Sequence, residues 1–94
     1  MTRQYLIGEL SVRLEQLQAT VGPAAACDVA RLRAKVEASP PAGLGWATTR
    51  AMALADGLCW DSLSRGDAAA FTDQARILAE LCQVDAGVRQ LGYR

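Results

Sequence analysis

The sequence predicts an all-α fold, a compact four-helix bundle, on two observations. Apolar residues recur at spacings of three and four through four separate segments, the period that lines one face of a helix. No stretch shows the strict alternation of a half-buried strand, and the segments are divided by short breaks at Gly22-Pro23, Ser39-Pro40-Pro41 and Ser64-Arg65-Gly66-Asp67. Short joins favour antiparallel neighbours. A helical hairpin pair that dimerises is the alternative architecture.

The first helix is expected over about 3–21, with Leu6, Leu10, Leu14, Leu17 and Val21 as its stripe and Ile7 beside them. Opposite lies a weaker apolar row of Tyr5, Gly8, Val12 and Ala19, interrupted by Glu15. Gly22 is expected to take the left-handed conformation past the helix end, and Pro23 to open the next helix, where its fixed φ is already helical. The second helix, about 23–38, carries Ala25, Val29, Leu32 and Val36 inward, with Arg31, Arg33, Lys35 and Glu37 around them. Ser39-Pro40-Pro41 ends it, since a residue before proline is driven out of the α region.

The third helix, about 44–64, differs from the others. Leu44, Ala47, Ala51, Leu54, Ala55 and Leu58 share a broad face that extends through Cys59 and Met52, and a second row of Trp46, Ala53, Gly57 and Trp60 lies toward the far side. So wide an apolar arc predicts the central helix of the bundle. Gly66 as left-handed terminator and Asp67 as N-cap then begin a fourth helix, about 67–91. Phe71, Ala75, Leu78 and Cys82 are its expected inner stripe, joined by Ile77 and Leu81, with Thr72, Asp73, Arg76, Glu80 and Gln83 outward and an Arg76–Glu80 pair at i,i+4. Glycines at 8, 57 and 87 interrupt helices. They suggest places where helices approach closely.

Length bounds what these helices can build. At 94 residues the chain is expected to form a single helical domain, 1–94, burying only about two-thirds of the surface its unfolded form exposes. Ten basic and ten acidic side chains give zero net charge, which argues against nucleic acid, whose binding needs a local excess of Lys and Arg. The run Arg31, Arg33, Lys35 fans around its helix, diluted by Asp28 and Glu37, and reads as a solvated face. The chain has no histidine, so the commonest general base and the commonest zinc ligand are missing. No catalytic residue, cofactor or metal site is expected. Asp56 and Asp61 point in different directions and make no dyad.

The three cysteines form no C-x-x-C pair, and an odd number without a leader-like apolar run points to reduced thiols in a cytoplasmic protein. The longest uninterrupted apolar run, residues 51–55, is far short of the roughly 20 residues that span a bilayer. Nine arginines against one lysine, with abundant alanine and glycine, suggest a GC-rich bacterial genome of the actinobacterial kind. Cys59 and Cys82 fall on the expected inner faces of neighbouring helices and read as core. Cys27, in the first turns of its helix, is the expected reactive thiol.

Asp61-Ser62-Leu63 resembles the D-S-L motif of acyl and peptidyl carrier proteins. The resemblance covers three residues and implies a phosphopantetheine arm on Ser62. The chain departs from the family pattern in having Cys59 where the family has a glycine, and in placing the serine near a helix end rather than at a helix start. The preferred reading makes Asp61 and Ser62 ordinary polar positions in the last turn of the third helix.

What remains is surface. Tryptophan is enriched at binding hot spots, and the row Trp46, Ala53, Gly57, Trp60 diverges from the main stripe, so something must cover it, inside the chain or outside. The row of Tyr5 and Val12 repeats the pattern on the first helix, and two-faced helices suit oligomers. The expected function is therefore a small non-enzymatic helical module that works through protein contacts, with a homodimer favoured over a monomer. The alternatives are the carrier-like domain modified at Ser62 and an apolar small-molecule binder with a pocket between helices.

Overall fold

The structure is a computed structural model and describes residues 3–38 and 43–92. Four helices follow one another: α1 (Arg3–Ala19), α2 (Pro23–Glu37), α3 (Leu44–Ser64) and α4 (Ala68–Gln90). They form the all-α four-helix bundle that the periodicity predicts. The expected stop at Ser39-Pro40-Pro41 lies outside the described residues.

Each helix pairs most with its chain neighbour. The α3–α4 hairpin is the tightest, α1–α2 comes next, α1 packs along α4, and the α2–α3 seam is much looser. Leu6, Leu10, Leu14 and Leu17 of α1 are buried, as the spacing predicts, and meet Val29, Leu32 and Val36 of α2 and Ile77, Leu81, Val84 and Val88 of α4 in one apolar cluster. At about 1.5–3 kcal/mol for each large aliphatic side chain removed from water, this cluster is what holds the bundle together.

The joins show how the sequence sets the geometry. Gly22 is not left-handed, contrary to expectation: at φ −72°, ψ 169° it is extended and occupies the N-cap position of α2, with Pro23 directly after it. The end of α1 is closed by Thr20, whose N–H and Oγ1 both bond to the Leu17 carbonyl. At the α3–α4 corner the expected signals hold. Gly66 is left-handed at φ 73°, its N–H bonds to the Leu63 carbonyl and that of Asp67 to the Ser62 carbonyl, the paired bonds of a Schellman motif. Asp67 Oδ1 then accepts from the Ala70 N–H at 3.1 Å, capping α4.

The inner face of α4 is rotated from the expected one. Gln74, Ile77, Leu81, Val84, Asp85 and Val88 are buried, Phe71, Ala75 and Leu78 are only half-buried, and Cys82 is exposed. The two polar residues explain the shift, because each finds a partner in α3 that holds this face inward. Thr72, Asp73, Arg76 and Gln83 face out as expected, and Arg76 pairs with Glu80 at 3.3 Å.

The wide apolar arc of α3 is only partly buried, although the helix touches each of the other three. Its buried face is made of small side chains, Gly45, Ala47, Thr48, Ala51, Ala55, Cys59 and Ser62 after Leu44, while Met52, Leu54 and Leu58 pack at the margin of the core. The bulky aromatics are on the other side. Glycines 8 and 57 mark no close approach within the chain, for a Cβ at either would meet nothing within 4 Å. Gly87 is buried.

Candidate interaction surface

Beyond Leu44 the buried face of α3 is built of small residues, and its two tryptophans face outward. Trp46 is 52% exposed, Trp60 62% and Leu63 49%, and Ala53 and Gly57 between the tryptophans are exposed as well. The row singled out from spacing therefore lies on the outer surface of the bundle. Leu63, absent from that row, extends it toward the helix end.

The Trp46 end is electropositive. Lys35 Nζ sits 5.7 Å above the Trp46 ring, a cation–π contact of about 0.5–1 kcal/mol at an exposed site. Arg31 and Arg50 join them in lining a shallow groove of about 230 Å³ along the loose α2–α3 seam, where Asp28 is the sole acidic residue. Its volume falls below the roughly 300–1,000 Å³ of small-molecule pockets. The basic run of α2 divides here. Arg33 turns the opposite way, toward Ser11, Glu15 and Glu37 beside α1. The Trp60 end carries Asp56 and Asp61, both exposed, and Asp61 pairs with Arg65 at 2.8 Å, which leaves an excess of one acidic charge there.

The second expected surface is less continuous. Tyr5 is 53% and Val12 44% exposed, but the ion pair between Arg13 and Glu9 crosses α1 beside them. Tyr5 and Leu6 line a depression with Glu9, Arg13 and the α4 residues Glu80, Gln83 and Val84.

Ser62 is fully buried. Its hydroxyl donates to Gln74 Oε1 at 2.6 Å, and Gln74 Nε2 reaches the Thr20 carbonyl at 3.4 Å. A hydroxyl engaged inside the bundle is not presented to a modifying enzyme, and this geometry counts against a pantetheine arm. Ser62 instead ties α3 to α4 and α4 to the end of α1. A matching contact lies at the far end of the same interface, where Thr48 meets Asp85 at 2.6 Å and Arg89 closes on Asp85 at 2.8 Å. Burial alone would raise the Asp85 pKa; the Thr48 hydrogen bond and Arg89 outweigh it and hold the carboxyl below its ordinary value.

The thiols do not form a pair. Cys59 is buried, whereas Cys82 is exposed, as is Cys27. Burial, reinforced by the charge of Asp56, pushes the Cys59 thiol up. Among the described residues no group of three or more His, Cys, Asp or Glu is placed to hold a metal ion, and no helix is long and apolar enough to cross a membrane. No family model, curated protein or solved structure matches the chain.

Thr48, Gln74 and Asp85 are the polar residues that spacing alone passed over. The signal was present in α4: positions 74, 77, 81, 84, 85 and 88 follow a three-four rhythm in which Gln74 and Asp85 occupy inner positions. A polar residue on such a stripe implies a buried partner.

Proposed function

We propose that the protein is a non-enzymatic helical interaction module of a reducing, cytoplasmic compartment, and that the outer face of α3 is its docking surface. The observation that carries the reading is the exposure of Trp46 and Trp60 on the same helix whose buried face, after Leu44, consists of small side chains. Large aromatics contribute most to a core when buried, and a helix that turns them outward forgoes that stabilisation within the chain. Covering by another surface recovers it, and half-exposed tryptophans at the edge of a charged groove have the amphipathic character of interface hot spots.

The test is site-specific photo-crosslinking in cells that make the full chain. A photoreactive residue replacing Trp60 is expected to give discrete crosslinked species, and one replacing the exposed Asp73 on α4 is expected to give none. Equal yields from the two positions, or none from either, would overturn the reading. The species formed need not be assigned to decide this point.

A further inference from the structure

The outer face of α3 carries one exposed tryptophan toward each end, with the small exposed Ala53 and Gly57 between them. We propose that it is covered by a second copy of this chain, with the two α3 helices antiparallel and the two-fold axis passing at Ala53; the inference rests on reading this face as an interface. Trp46 and Trp60 stand seven residues on either side of Ala53, close to two turns, or about 10 Å, in each direction. A two-fold axis across the helix at Ala53 pairs every position with the one equally far on the other side, as in any isologous contact. Trp46 of each copy then meets Trp60 of the other, and Ala53 meets itself. The bulky side chains fall at the two ends and the small ones in the middle. Gly57, with open space where a Cβ would stand, leaves room for the second helix.

Charge selects the antiparallel arrangement. Arg50 and Asp61 are eleven residues apart, three turns to within about 20°, so both lie on the flank of α3 that Leu54 shares with the α2 groove. The antiparallel two-fold keeps matching flanks together while exchanging the ends. The basic end of one copy, Lys35 above Trp46 with Arg31 and Arg50 nearby, therefore comes to the exposed Asp61 beside Trp60 of the other copy, whose carboxylate is shared between Arg65 of its own chain and the incoming cations, and the contact repeats at the opposite end. A parallel two-fold sets matching flanks on opposite sides of the contact and leaves like ends level with each other, so it forms no contact between the basic end and Asp61. The opposite charges meet only in the antiparallel pair, and complementary apposition favours it.

One helix face with the edge of α2 belongs to the smaller class of interfaces, below about 1,200 Å² in total, so a reversible dimer is expected. The test is sedimentation equilibrium of the purified chain across a wide concentration range, with circular dichroism confirming the helical fold of each variant. A monomer–dimer equilibrium is expected, weakened about thirty-fold by Trp60→Ala. Lys35→Glu and Asp61→Lys should each weaken self-association when alone, and an equimolar mixture of the two variants should restore it, because every cross-contact in the mixed antiparallel dimer joins opposite charges. A chain that stays monomeric throughout, a dimer indifferent to Trp60→Ala, or a mixture no stronger than its components would overturn the proposal. Monomers that nevertheless crosslink through position 60 to a different protein would overturn the second copy alone, whereas a silent position 60 would remove the underlying reading too.

Discussion

Thr48 Oγ1 lies 2.6 Å from Asp85 Oδ1 across the α3–α4 interface, joining residues 37 apart in the chain. The hydroxyl donates to a carboxylate that is only 8% exposed, and Arg89 supplies the opposing charge from one turn further along α4.

This relationship makes the stability of the bundle depend on acid. The Asp85 carboxyl is held below its ordinary value, so the folded state binds this proton less readily than the unfolded chain, in which Asp titrates near 3.9. Its contribution is complete above about pH 5 and is lost as pH falls through the unfolded value and then the lowered folded one. Urea midpoints between pH 7 and 3 should decline in the native chain and decline less in Asp85→Asn. Equal slopes would mean that other carboxylates dominate.

At the opposite end of the interface, Ser62→Ala leaves Gln74 Oε1 without its short hydrogen bond. The expected loss is about 1–2 kcal/mol of unfolding free energy, read from chemical denaturation. The folded native chain should gain no mass on treatment with a broad phosphopantetheinyl transferase and its cofactor. A pantetheine-sized gain absent from Ser62→Ala would reinstate the carrier reading.

Gly57 sits in the middle of α3 with open space around it. Gly57→Ala should stabilise the isolated fold by about 0.5–1 kcal/mol, because alanine loses less backbone freedom in a helix. In dilute solution its thermal midpoint should rise. Self-association should weaken in the same variant, since the added methyl enters the gap between paired helices. A lower midpoint would show that the helix has no room there.

Two thiols should titrate quickly with a disulfide reagent in the folded chain and the third only on unfolding. Cys27 and Cys82 are exposed, and Cys59 is buried with its thiol pushed up, which lowers the reactive thiolate fraction. Mass mapping of the labelled positions checks the assignment. Rapid labelling of Cys59 would indicate that α3 opens from the core.

The helices were legible in the sequence because apolar spacing and the Gly66-Asp67 corner each act locally. Leu6 to Leu17 and Val29 to Val36 could be placed without knowing what they touch. The facing of α4 was not legible from apolarity alone, since Ile77 and Leu78, like Leu81 and Cys82, offer neighbouring stripes of similar hydrophobicity. The choice rests on Gln74 and Asp85, whose partners Ser62 and Thr48 sit on another helix. The outward tryptophan row was readable as a divergence from the main stripe of α3. The groove at its Trp46 end was not, because Lys35 and Trp46 meet only once α2 and α3 are laid side by side.

Asp67 closes α3 and opens α4 at once, which leaves the corner without a spare residue. The corner thereby works as a rotational stop for everything downstream. One residue inserted between Gly66 and Asp67 turns α4 by about 100° about its own axis relative to α3, carrying Gln74 and Asp85 away from Ser62 and Thr48 and bringing Arg76 and Glu80 to the inward positions of Ile77 and Leu81. The length of a single turn thus decides whether α4 offers the core a greasy face or a charged one, and one extra residue at this point would undo the packing without altering one apolar side chain.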